Sequence, residues 1–420
     1  MTDFDTVDFF SDPGLIPDPY PYFDHLRGQC PVLHQEHQGV YAVTGYGEAL
    51  DAYRNEDAYS SCVSVVGPLA PLPFEASGDD IGELIRRHRD EIAMADFVVT
   101  MDPPEHTRTR GLLQQLLTPK RLKENEDFMA QLADQQLDEF ADSGRCEVMN
   151  DYARPFTGLV IAELLGVPEE DRRTFRDVMG NQLVGGLNEE LAHNPLEWLD
   201  ERFTAYVTDR RDNPRADVLT DLARAAYPDG TVPKIVDVVR LATFVFAAGQ
   251  ETTTKLLVTG LRIIAERPDI QARLRADRSQ IPHFLEECLR MESPVKSHFR
   301  LARKATRLGG VEVPAGGMVM LMPGAANRDP RQFAQPHEFQ VDRPNVREHL
   351  AFGRGIHTCP GSPLARAEGR ITMNRFLDRM ADIQIDESKH GPAGDRRYTY
   401  DPTFIMRGLS DLHITYRPVT

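Results

Sequence analysis

The feature that most restricts this chain is a run from about Ile235 to Glu266, where apolar residues recur at helical spacing until Pro268 ends it. A helix of that length spans about 45 Å and can cross the molecule, so the remainder must pack around it. In its middle stands Ala247-Ala-Gly249-Gln-Glu251-Thr252-Thr253-Thr254, an odd sequence for a helix interior. Glycine and three successive β-branched residues each lower helix propensity, so something other than propensity keeps them there. Small residues permit a ligand to approach the backbone or, alternatively, a close helix crossing at Gly249. A threonine hydroxyl can replace a main-chain hydrogen bond and open a local groove.

A second stretch, Ala351-Phe-Gly-Arg-Gly-Ile-His-Thr-Cys359-Pro-Gly-Ser-Pro-Leu-Ala-Arg366, sets one cysteine between a glycine-rich loop and a helix start. Gly353 and Gly355 let the backbone turn sharply and approach a flat, bulky partner that a Cβ would push away. From Ser362, the positions Leu364, Ile371, Phe376, Leu377 and Met380 recur at three- and four-residue steps, so Cys359 lies just ahead of a helix N-terminus. Free N–H groups there stabilise negative charge and favour a thiolate, with donors around Gly361 aimed at sulfur. The stretch reads as a thiolate ligand for haem iron. The ordinary alternative is a small buried hydrophobe beside a loop.

Phe352-Gly353-x-Gly-x-His357-x-Cys359-x-Gly361, followed by Leu364-Ala-Arg366, resembles the haem-binding loop of the cytochromes P450, and matching segments run in family order from about residue 20 to 410. The resemblance implies a mainly α fold with a small β subdomain, and haem b between the long central helix and the cysteine-loop helix. It implies one domain over residues 1–420, β-rich near 30–60 and 295–325. It assigns the iron to Cys359. Ala248-Gly249-x-Glu251-Thr252 resembles the oxygen-activation segment, which gives Thr252 a hydrogen bond to dioxygen and Glu251 proton delivery. Asp102-Pro-Pro-Glu-His106-Thr-Arg-Thr-Arg110 resembles the segment whose histidine and arginine reach the haem propionates, and Arg300 and His357 match the remaining propionate positions. The i,i+4 spacing puts His106 and Arg110 on one helix face. Glu287-Cys-Leu-Arg290 matches the family's ExxR motif; with Arg343 it is expected to form a buried ion-pair network of structural rather than catalytic role.

Composition bounds the remaining readings. With 48 basic and 65 acidic residues the net charge is -17, which opposes a nucleic-acid or anionic-membrane role. Cys30, Cys62, Cys146, Cys288 and Cys359 are widely separated and form no CxxC pair, which suits a reducing cytosol and supplies neither a disulfide nor a zinc framework. The acidic N-terminal segment lacks a signal-peptide core and an anchor helix, so the expectation is a cytoplasmic monomer, and the resemblance points to bacterial enzymes. No flavin domain or iron–sulfur motif is present. The resemblance therefore implies an external ferredoxin and an NAD(P)H-dependent reductase. Lys120, Arg121, Lys123, Arg354 and Arg366 are candidates for a basic docking patch, although the first three fit a solvated charge run equally well.

Along the chain, Val32 to Val43 reads as a hairpin about Gly39 and Tyr46 to Arg54 as a short helix. Cys62 to Thr100 reads as a long connection with a helix from Asp80 to Ile92; in the resembling family this region covers the substrate. Leu112, Leu113, Leu116 and Leu117 form one apolar helix face, and Leu159, Ile161, Leu164 and Leu165 another. Phe175 to Val207, with Gly180, Gly185, Gly186 and Pro195, reads as two joined helices. Positions that resemble pocket walls are Met94, Leu183, Val184, Phe244, Ala247, Val295, Phe299, Phe404 and Ile405. Their apolar character predicts a hydrophobic small-molecule substrate: a terpenoid, steroid, fatty acyl or aromatic compound. Lys296 and His298 either meet a carboxylate beside this wall or face solvent. A peroxide-driven haem-thiolate enzyme or a non-catalytic haem sensor would also keep Cys359, but both have less need of the Glu251–Thr252 pair.

Overall fold

The computed structural model describes residues 4–179, 196–227 and 229–419. Ile235–Glu266 is one continuous helix. At its start the Asp237 carboxylate accepts the Lys234 N–H, satisfying one of the donors a helix N-terminus leaves free. At its end Arg267 leaves the helical conformation (φ -122°, ψ 83°), which a following proline disfavours, and Pro268 opens the next helix, Pro268–Ala276. Helices Arg154–Leu164, Glu197–Asp212, Ile281–Met291 and Ser362–Arg379 pack against this central rod. The fully buried Phe246 meets Phe175 and Phe203 at ring-centre distances of 5.2 and 6.4 Å, which joins the rod to the helices on either side of residues 180–195. Burying each such side chain contributes about 1.5–3 kcal/mol.

A five-stranded sheet lies beside the helical body in the order Val32–Gln35, Val40–Val43, Met318–Leu321, His298–Ala302, Tyr59–Ser60. The first two strands form the hairpin, with Val32 opposite Val43, and Gly39 supplies the positive φ of 61° that the turn needs. Val40–Val43 pairs parallel with Met318–Leu321. Along His298–Ala302 successive side chains face opposite sides. Phe299 and Leu301 enter a core cluster with Phe10, Val63 and Met320, while His298 packs on Tyr53.

The short helix falls at Tyr46–Arg54, as its spacing predicts. The helix expected over Asp80 to Ile92 is shorter: only Gly82–Arg87 is α-helical, followed by a separate turn at Arg89–Glu91. It has no side-chain cap and buries only Ile85, too little to extend it. The join expected within Phe175 to Val207 falls on residues 180–195, outside the described residues; helices Glu169–Met179 and Glu197–Asp212 flank it. Met380, read as part of the cysteine-loop helix, instead begins a strand, Met380–Ile385. Among the described residues no helix is long and apolar enough to cross a membrane.

Glu287, Arg290 and Arg343 are almost wholly buried together. Arg290 donates to both Glu287 oxygens at 2.8 Å and to the carbonyls of Asn327 and Pro336. Arg343 donates Nε to the same carboxylate at 3.1 Å, Nη2 to the carbonyls of Gln335 and Glu338, and Nη1 to that of Ala334. This network pins the irregular segment that leads into the cysteine loop. Removing one partner of a buried charge set costs about 3–5 kcal/mol, so Glu287→Ala should lower the free energy of unfolding by about that amount, seen as a lower denaturant midpoint, or prevent folding; an unchanged midpoint would contradict the structural role.

Candidate functional site

The cysteine loop is shaped by backbone geometry. Gly353 and Gly355 have φ of 63° and 71°, and a Cβ on Gly355 would collide with the carbonyl of Tyr53. A 3₁₀ turn, Gly355–His357, brings the Cys359 N–H onto the Phe352 carbonyl at 2.8 Å, and the following helix starts at Ser362. Burial raises the Cys359 thiol above its ordinary value, against the thiolate-favouring environment the sequence suggested. The pull in the other direction comes from the N–H groups of Gly361 and Ser362 and the charges of Arg110 and Arg366. These are the donors a metal-bound sulfur would use, and Pro360 can offer none.

Asp102 fixes the approach of the next helix, Glu105–Leu116, by accepting the Ser61 N–H at 2.8 Å and the Ser60 hydroxyl. That helix presents His106, buried with both ring nitrogens unpartnered, 4.1 Å ring to ring from His357. One turn later Arg110 donates to the Thr358 carbonyl. Arg300, also buried, donates Nη1 to the Ser64 hydroxyl at 2.7 Å and to the Phe299 carbonyl. His357 Nε2 lies 3.0 Å from the Ser61 hydroxyl. Burial and then Arg110 push His106 down to about 4; burial, Arg300 and His106 push His357 down to about 2; burial and Arg300 push His298 down to about 3. The structure thus gathers His106, Arg110, Arg300 and His357 with Cys359, a lining in which burial and the two arginine charges keep the imidazoles neutral.

Sequence reasoning missed three contributors here: Tyr53, His298 as a member of this lining, and the Ser60–Ser64 segment. Tyr53 is buried with its hydroxyl unpartnered and its ring 5.3 Å from His298. The buried face of its helix, Tyr46, Ala49, Ala52 and Tyr53, was the available signal. Buried donors without acceptors, facing a cationic lining, fit a partner that brings carboxylates, as the two haem propionates do.

Within 241–261 of the central helix, the positions that escape burial are Phe244, Val245, Ala247, Ala248, Gly249, Glu251 and Thr252. Their i,i+4 recurrence at 244, 248 and 252 is one face of the rod. The Thr252 hydroxyl donates to the Ala248 carbonyl at 2.9 Å, the back-bond expected of a mid-helix threonine. Gly249 answers the helix-crossing alternative, since a Cβ there would come within 2.6 Å of Ile161 Cδ1.

Of the pocket-wall positions, Met94, Phe244, Ala247, Val295 and Ile405 are partly exposed. Phe299 and Phe404 are not: their rings pack on each other and on Phe10, covering one face of the sheet. Leu183 and Val184 lie outside the described residues. Lys296 faces away from solvent, buried over the Phe9 ring, and burial pushes it down to about 7.

The basic-patch candidates are largely engaged. Lys120 pairs with Glu124 and Arg121 with Asp221. Arg354 donates to the carbonyls of Gly353, Arg347 and Glu348. Arg366 binds the buried Glu286 and covers the Phe352 ring at 4.6 Å. Burial alone would raise Glu286, but Arg366 and His349 hold it down to about 2 against an ordinary 4.5. Its depressed value contributes stability that is complete above about 4.5 and withdrawn as pH falls toward 2. Glu286→Gln should therefore flatten acid unfolding in that window; an identical acid profile would contradict the pairing. Gly355→Ala should impair haem retention in a purified sample, measured by pyridine haemochrome content.

The family model described as Cytochrome P450 matches residues 189–381. Cytochrome P450 144 of Mycobacterium tuberculosis is 34% identical over 381 residues, covering 88% of this chain and 84% of that protein. Cytochrome P450 monooxygenase PikC of Streptomyces venezuelae is 32% identical, covering 95% and 91%. The substrate-free structure of Mycobacterium marinum cytochrome P450 CYP150A6 superposes with a TM-score of 0.94 at 59% identity, covering 99% of this chain and all of that one.

Proposed function

Because the chain belongs to the cytochrome P450 family, whose haem-dependent members include named monooxygenases, we propose that it inserts one oxygen atom of dioxygen into a hydrophobic small molecule. The substrate is a terpenoid, steroid, fatty acyl or aromatic compound. Electrons come from a ferredoxin and its NAD(P)H-dependent reductase, and the protein works in the cytoplasm as a monomer. The cofactor is haem b, with Cys359 on the iron, His106, Arg110, Arg300 and His357 on the propionates, and Phe352, Gly353 and Gly361 shaping the loop. When bound, it supplies dioxygen activation at the iron.

The observation that carries this reading is the place of Glu251 and Thr252 on the face of the central helix that escapes burial. A peroxide-driven enzyme or a haem sensor has less need of an acid and an alcohol there. Monooxygenation consumes two electrons and two protons and releases the second oxygen atom as water, so a proton source must reach a site otherwise kept dry. Glu251 is partly exposed and can exchange protons. The Thr252 hydroxyl, held by Ala248, offers a hydrogen-bonding group on the same face. Phe244, Ala247, Val295 and Ile405 exclude water and hold an apolar substrate by area rather than by hydrogen bonds.

Hydrophobic libraries should yield compounds that convert the haem from low to high spin. With such a compound and a surrogate ferredoxin system, Thr252→Ala should keep haem and substrate binding, lose product formation on the order of 10²-fold, and divert reducing equivalents to peroxide. Unchanged coupling of NADH to product would contradict the role given to Thr252.

A further inference from the structure

One turn beyond Glu251 the central helix buries a lysine. Lys255 is 1% exposed, and a buried ammonium is tolerated only with partners. Its Nζ donates to the Asp401 carboxylate and to the Leu409 carbonyl at 3.2 Å. The third neighbour is Glu251, whose Oε1 lies 3.0 Å away at ion-pair distance yet has no aligned hydrogen-bond partner. Asp401 is as deeply buried as the lysine, and its other oxygen accepts the Ser410 hydroxyl at 2.8 Å. The segment 401–410 is shaped around this side chain: Asp401 N–H donates to the Gly408 carbonyl, and a Cβ on Gly408 would run into the Lys255 methylenes.

We propose that Lys255 is a positioning residue for Glu251: it commits its aligned hydrogen bonds to Asp401 and Leu409, and holds the Glu251 carboxylate by charge alone. This rests on the reading of Glu251 as the proton-delivering acid. One ammonium facing two carboxylates leaves one negative charge unbalanced. Asp401 is enclosed and hydrogen-bonded, so the surplus falls to Glu251, which is 29% exposed. A proton arriving from the accessible face restores the balance there, and once it is passed on the ammonium draws the carboxylate back. A fully hydrogen-bonded Glu251 would be locked in place. An unpaired one would not return to the same position.

Segment 401–410 also carries Phe404 and Ile405, whose carbonyls accept from the Ser297 hydroxyl at 2.7 Å and the Lys296 N–H at 2.8 Å. Lys255 thereby fixes Glu251 to the same scaffold that holds the apolar wall.

The test uses the haem-loaded protein as Glu251→Gln and as the double variant Lys255→Met with Asp401→Asn, which removes the ammonium without leaving Asp401 charged. Melting temperature and carbon monoxide binding check that each is folded. The infrared carboxylate band of Glu251, isolated by subtracting spectra of matched proteins with and without Glu251→Gln, should move in the double variant. NADH oxidation with dioxygen and a surrogate ferredoxin system, run without added substrate in H2O and D2O, should slow by about fivefold or more in both, with a larger solvent isotope effect. If Glu251→Gln changes the rate and the double variant changes neither rate nor band, Lys255 is structural and the proposal falls alone. If Glu251→Gln itself changes nothing, the reading of Glu251 beneath it falls as well. Should the double variant not fold, Asp401→Asn alone frees one Lys255 hydrogen bond and should still move the Glu251 band; an unmoved band overturns the proposal.

Discussion

The structure depends on a single buried carboxylate. Glu287 holds two arginines, and those arginines hold the backbone carbonyls of the irregular segment between Asn327 and Glu338. That segment has little regular secondary structure to keep its shape, so its position is set by charge-assisted hydrogen bonds to a rigid helix. The cysteine loop follows directly, and Gly355 seats it against Tyr53. The loop that carries Cys359 is therefore held by Tyr53 and by the anchored segment before it.

A second constraint is electrostatic. His106, His298, His357, Arg110 and Arg300 crowd one small volume, where the Asp102 carboxylate acts on His106 and Arg300 but does not offset burial and the arginine charges. The imidazoles meet this by remaining neutral, each held far below the ordinary histidine value. The arginines cannot do so, and an arriving dianion relieves them. At Lys255 the balance is inverted: one ammonium faces two carboxylates, Glu251 on the central helix and Asp401 far along the chain. The arginine charges suit a bound dianion, and the ion pairs of Lys255 tie Glu251 to segment 401–410.

Much of this was legible in the sequence, where local chemistry dictates the outcome. The central helix is bounded by Pro268, and the hairpin by Gly39, so both could be read from spacing and from two residues with restricted or unusual backbones. Cys359, His106, Arg110, Arg300 and His357 could be collected only through motif resemblance, since no spacing rule links residues so far apart in the chain. Depth could not be read. Phe299 and Phe404 have the composition of a pocket wall, and the structure buries their rings against each other and Phe10, a contact between distant segments. Lys296 looked equally suited to solvent and to a ligand, and is buried. Lys255 gave no signal because its partner Asp401 lies far along the chain, in a segment whose shape only the folded structure reveals. The short helix at Gly82–Arg87 was overestimated because its length is limited by how little it buries.

The central claim, that Cys359 ligates a haem iron as a thiolate, is tested most directly by the carbon monoxide difference spectrum of the dithionite-reduced holoprotein. The account predicts a strongly red-shifted Soret band in the native chain, lost in Cys359→His. A band at the position of histidine- or thiol-ligated haem in the native chain, or no bound haem, would contradict it.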